Sequence, residues 1–128
     1  MYDGPPMADE VNPTHDEIRA WASSGAFAPM QDWDIVIAFP ENIDLLLELV
    51  SDQSVPSRRF LLGSMYCMVG HCDHADARVL SAAERARESD DAWVSTWGRR
   101  VLQVLADPST FDRDDWCGWP GFAADPAG

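Results

Sequence analysis

The chain has 128 residues, nearly half of them apolar, enough for one domain to bury a sizeable core without disulfide or metal staples. Its formal net charge of −13 sets 22 acids against nine basic residues, all of them arginine, which argues against a surface built for nucleic acid or anionic membranes. There is no apolar run long enough for a transmembrane helix and no secretory pattern at the start, and the cysteine count is odd at three; together these read as a protein of the reducing cytoplasm.

Residues 1–13 are rich in Pro, Gly and Asp and read as a flexible N-terminal arm. A short helix is predicted after Thr14, which has capping-box spacing to Glu17, with Ile18, Trp21 and Ala22 as its apolar stripe and Gly25 as its stop. Residues 31–39 read as helix or strand, because "IVIAF" is rich in β-branched side chains. Asp32 and Asp34 would occupy the first turn of a helix, where carboxylates are favoured, and this tips the reading to helix. Pro40 ends that segment, and a helix resumes over 41–51 with Ile43, Leu46, Leu47 and Val50 on one face.

The stretch 57–70 is apolar on almost every side, through Phe60, Leu61, Leu62, Met65, Tyr66, Met68 and Val69. It is predicted to be the central helix, with Ser57 as its N-cap. Arg58 and Arg59 open it, where positive charge opposes the helix dipole, and are expected to pair with the acidic first half and tie the two halves together. Amphipathic helices follow over 75–88, through Val79, Leu80, Ala83 and Ala86, and over 89–106, through Trp93 or Val94, then Trp97, Val101, Val104 and Leu105. Trp93 and Trp97 are expected in the core. Asp107 and Pro108 close the last of these, a short turn spans 109–116, and 118–128 reads as a C-terminal tail. The expected fold is all-α: a single helical domain over 14–117, with five to six helices in an irregular bundle or a short solenoid-like stack.

Charge is unevenly spread along this plan. Residues 1–56 hold eleven acids against Arg19 alone, a net of −10, while 57–128 hold eleven acids and eight arginines, a net of −3. Concentrated negative charge suits attraction to a basic protein, although solubility alone is a competing explanation. Trp33 lies between Asp32 and Asp34, and Trp119 follows Asp112, Asp114 and Asp115. An aromatic anchor ringed by carboxylates would fit docking on a cationic surface, whereas the same rings could equally be core residues beside helix-capping acids. The candidate partner-binding residues are Asp32, Trp33, Asp34, Glu41, Asp44, Glu48 and Trp119.

The segment "CMVGHCDH" puts Cys67, His71 and His74 at helical positions i, i+4 and i+7, and a thiolate with two imidazoles suits zinc. Gly70 marks the expected helix end, however, and Cys117 is a lone distant fourth candidate. The favoured reading makes Cys67 a small core residue and His71 and His74 caps of the helix end, with no metal or cofactor; a small zinc enzyme or sensor is the alternative. No phosphate loop, GxSxG elbow, HExxH or dinucleotide fingerprint occurs, and a cysteine nucleophile would find no positive surroundings, so no catalytic residue is assigned.

The run "NPTHDEIRAWASSGAFAPMQDWDIVIA", then "SRRFLLGSMYCMVG" and "LADPSTFDRDDWC", resembles small acidic helical bacterial proteins of the kind found among the immunity partners of polymorphic toxins; the likeness spans residues 12–117. It implies a cytoplasmic, non-catalytic protein that neutralises a cognate protein toxin by covering a basic active-site groove, with a non-catalytic helical adaptor as a further alternative. No motif of that class carries a residue role onto this chain.

Overall fold

The computed structural model describes residues 2, 4–30, 32–73 and 76–117, and among these every regular element is helical. In chain order they are α1 (His15–Ser24), α2 (Trp33–Val36), a 3₁₀ turn (Pro40–Asn42), α3 (Ile43–Val50), α4 (Arg58–Gly70), α5 (Ala77–Arg87), α6 (Ala92–Ala106), a second 3₁₀ turn (Pro108–Thr110) and α7 (Arg113–Cys117). The fold is all-α: five helices of two turns or more, and two single-turn helices that the sequence pattern blurs into their neighbours. The expected tail, residues 118–128, lies outside the described residues.

Local chemistry explains most of the boundaries. The Thr14 hydroxyl accepts from the Glu17 amide at 3.1 Å and the Glu17 carboxylate accepts from the Thr14 amide at 2.9 Å, so the capping box is complete. Gly25 then closes α1 in the left-handed region, at φ 76°. The arm lies against this body: Tyr2 and Met7 pack on the core, and the Ala8 amide donates to Glu17 at 2.8 Å. Residues 31–39 do not make the single helix expected of them. Only one turn, α2, forms before Pro40 starts a 3₁₀ turn, because a residue preceding proline is pushed to extended backbone; Phe39 has φ −74° and ψ 148°.

The bundle is organised around α4, on which α2, α3 and α6 pack; α5 pairs with α6 and also meets α3. Ten consecutive residues of α4, Phe60 to Val69, are buried, as its all-round apolarity requires. A chain of aromatic rings threads the core. Trp33 meets Trp21 edge-on at 5.5 Å, Trp21 meets Phe60 at 5.4 Å, Phe60 meets Trp116 at 5.9 Å, Trp116 meets Trp97 at 5.0 Å, and Trp97 meets Tyr66 at 5.2 Å. Edge-to-face pairs of this kind contribute about 0.5–1.5 kcal/mol each beyond simple burial. They link α1, α2, α4, α6 and α7 into one core.

Three expectations about individual side chains are corrected. Arg59 pairs with Asp91 of the second half at 3.1 Å and lies over the Trp93 ring at 4.2 Å. Arg58 does reach the first half, but through the Val50 carbonyl at 2.6 Å rather than through an acid. Trp93 is therefore half-buried under a guanidinium, while Trp97 alone of that pair is in the core. Leu80, expected on the buried stripe of α5, is 43 % exposed; the buried residues of that helix are Val79, Ala82, Ala83 and Ala86. Ser57 does precede α4, yet its hydroxyl makes no capping bond.

Gly63 shows how tightly α7 is seated. A Cβ at this position would run into the six-membered part of the Trp116 indole. Alanine is better than glycine in a helix by about 1 kcal/mol, but an embedded indole cannot swing aside as a flexible side-chain end could. Gly63→Ala should therefore lower stability by about 1–3 kcal/mol in urea unfolding with an unchanged slope; a neutral or stabilised variant would mean that Trp116 is loosely packed.

Candidate functional site

Asp34 has no solvent exposure at all, which is rare for a carboxylate. Burial at this depth demands donors, and three side chains from two helices supply them. The Arg113 guanidinium of α7 donates to Oδ1 at 2.9 Å. The Trp116 indole N–H, from the same helix, donates to Oδ2 at 3.0 Å, and the Cys67 thiol of α4 donates to that oxygen at 3.5 Å. A second contact from Arg113 reaches the exposed Asp32 at 3.3 Å. One buried carboxylate thus fastens α2 and α7 to the central helix. Neighbouring support comes from Tyr66, whose hydroxyl accepts from the Asp112 amide at 2.6 Å, and from the Arg100–Asp115 ion pair.

The electrostatics follow from this packing. Burial and then the charge of Asp34 push the Cys67 thiol pKa well up, so the sulfur stays protonated. Burial works against the Arg113 charge, but the hydrogen bond and charge of Asp34 outweigh it, and the guanidinium is held protonated. Cys72 and Cys117 are also raised, chiefly by burial. A thiolate nucleophile or ligand needs the opposite surroundings. Cys67 faces Asp34, whereas His71 is exposed as the C-cap of α4, its amide donating to the Cys67 carbonyl at 2.8 Å. His74 lies outside the described residues, and among those described no group of three His, Cys, Asp or Glu side chains could hold a metal ion.

The surface acids divide into two sets. Trp33 and Asp34, expected as partner contacts, are completely buried; the single turn of α2 is clamped between α1 and α4, so both adjacent side chains point into protein. As free-surface contacts they are corrected. Asp32, Asp44 and Glu48 are exposed but already paired, with Arg113, Arg78 and Arg19 respectively. Glu41 is exposed and makes no ion pair among the described residues. Trp119 lies outside the described residues. Asp9, Glu10, Asp16, Glu17 and Asp52 join Glu41 as first-half acids with no contact ion pair to an arginine among the described residues, although Asp16 lies in the field of Arg19 and Asp52 in that of Arg58. All but Asp52 belong to the arm, the first turn of α1 or the turn after Phe39.

Two features escape a sequence reading. Nothing near Asp34 announces its donors, which lie 33, 79 and 82 residues downstream. Phe39 and Val11, 45 % and 65 % exposed, were not singled out; the signal for Phe39 was its place directly before Pro40, after two residues that enter the core. The fold and this internal site define the class of protein: an all-α bundle locked by a buried carboxylate, with surplus negative charge around its N-terminal end. Comparisons with known protein families, with curated proteins and with solved structures return no match.

Two measurements test the internal site. Asp34→Asn puts an amide N–H₂ against donors and should cost about 3 kcal/mol in urea unfolding, the low end for a broken buried pair because Arg113 can still turn towards water; Glu41→Gln should cost less than about 0.5 kcal/mol. Equal effects would remove Asp34 from its central place. The thiols give the second test. Their folded pKa values are raised, so the unfolded chain loses its thiol protons first. Stability is retained below about pH 8.5 and falls as pH rises beyond it, by about 1.4 kcal/mol per unit for Cys67. Cys67→Ala should flatten that slope; an unchanged slope would contradict it.

Proposed function

We propose that the protein is a non-catalytic cytoplasmic inhibitor of the immunity type, which binds a cognate bacterial protein toxin and covers its basic active-site groove. The observation that carries this reading is the set of first-half surface carboxylates that make no ion pair with an arginine among the described residues: Asp9, Glu10, Asp16, Glu17 and Glu41 around the N-terminal end, with Asp52 further along, Asp16 and Asp52 being partly offset by the charges of Arg19 and Arg58. Paired acids such as Glu48 and Asp44 act at a distance as dipoles, so long-range attraction comes from the unpaired set. The overall pattern of residues 12–117, which resembles small acidic helical bacterial proteins of the kind found among immunity partners, is in keeping with the same role. No helix among the described residues is long and apolar enough to cross a membrane, which agrees with action on a protein partner in solution.

On this reading the protein supplies charge and bulk rather than chemistry. Carboxylates stand where an anionic substrate would lie, and a rigid helical body excludes that substrate. Glu41, Glu10 and Asp16 are the primary contacts, and Asp32, Asp44 and Glu48 come second because a partner must first displace their arginines.

Co-expression with the toxic domain encoded beside this protein should restore growth, and the purified pair should associate about ten- to a hundredfold more slowly at high salt than at low salt. Neutralising Glu10, Asp16 and Glu41 together should lower the association rate more than neutralising Asp44 and Glu48. Association indifferent to salt, or no protection of the cell, would overturn the reading.

A further inference from the structure

Two segments of the first half line a groove of about 240 Å³ near the N-terminal end. Val11, Pro13 and His15 contribute to one wall, Val36, Phe39 and Glu41 to the other. Val11 and Phe39 are among the few large apolar side chains this protein leaves exposed, and here they flank one depression. Isolated exposed apolar residues need no explanation; these two share one groove with an acid on its lining, Glu41.

Both walls are built to stay in place. Pro40 keeps Phe39 extended, the Asn42 amide donates to the Phe39 carbonyl at 2.9 Å, and the Asn42 side chain donates to the Ile37 carbonyl at 3.2 Å. Ile37 and Ala38 are buried immediately before it, so the turn has one way to face and Phe39 points out. Opposite, the Asp9 side chain accepts from the Val11 amide at 3.1 Å, and Glu17 ties the Thr14 and Ala8 amides to α1. A preformed groove binds without a large ordering cost.

Its rim decides what fits. Glu41 lines the groove, while Glu10 adjoins Val11 and Asp16 adjoins His15, all exposed and without an ion pair among the described residues. Nucleic acid and anionic lipid are repelled. A second copy of this chain in a two-fold pair would bring the same carboxylates face to face. Resting on the inhibitor reading and making it specific, we infer that the groove between Val11 and Phe39 receives a protein segment bearing one apolar side chain flanked by lysines or arginines. The apolar side chain enters between Val11 and Phe39, and the flanking cations meet Glu41 on one side and Glu10 or Asp16 on the other.

Three synthetic peptides test this by two-dimensional NMR titration of the ¹⁵N-labelled protein at low ionic strength: acetyl-KKLKK-amide, acetyl-KKGKK-amide and acetyl-EELEE-amide. The first should shift the amides of Val11, Phe39 and Glu41 and bind about tenfold more tightly than the glycine peptide, the gain expected for partly burying one leucine side chain. The acidic peptide should not bind. Phe39→Ser, a change at an exposed position whose folding circular dichroism checks, should abolish the tenfold difference while leaving the charge-driven affinity. Equal binding of the two basic peptides, or shifts centred elsewhere, would overturn the groove and leave the acidic-face inhibitor standing. Absence of binding by either basic peptide would overturn both.

Discussion

A carboxylate with no access to water has to be answered by donors from within the protein, and the arrangement of this bundle follows from the answer given to Asp34. Arg113, Trp116 and Cys67 converge on its two oxygens, so the short α2 and α7, each too small to hold a place by its own backbone hydrogen bonds, are fixed against α4. The same contact sets the aromatic core. Where Trp116 donates to Asp34 its ring lies against Gly63, and in that position it meets both Phe60 and Trp97. A polar node inside an apolar core thus fixes which of several possible packings the last helix adopts.

The node also sorts the charge of the molecule. Arg113 is spent on Asp34 and Asp32, Arg78 on Asp44 and Asp76, Arg19 on Glu48, and Arg100 on Asp115. Each exposed pair adds little stability, because solvent and salt screen it. Their larger consequence is to cancel the field over much of the surface. What remains uncancelled in the first half is gathered mainly around the arm, the start of α1 and the turn after Phe39, beside an apolar groove. Function is proposed for this face because it combines unspent charge with exposed apolar surface on a rigid frame.

Much of the fold was legible in the sequence where short-range chemistry decides. The capping box of Thr14 and Glu17, the stop at Gly25, the all-round apolar run of α4 and its end at Gly70 each depend on residues within a turn or two, and each is found in the structure. The site was less legible. "MQDWD" has the look of an exposed acidic turn because the sequence near it holds no counter-charge; its cation and its indole donor arrive from α7, far along the chain. Arg59 misled for a related reason. The nearest surplus of acid lay in the first half, but the helix direction carries the side chain to Asp91. Long-range pairing of this kind is set by topology, which a single sequence does not display.

The most direct test of the central claim is the hydrogen exchange rate of the Trp116 indole N–H, followed by NMR under conditions where unfolding is slow. If Asp34 locks α7 to the body, this proton exchanges only through global unfolding, and its protection free energy equals the stability measured by urea. Exchange at a free energy well below the global value would show α7 opening on its own, and the buried carboxylate would then not be the contact on which the bundle depends.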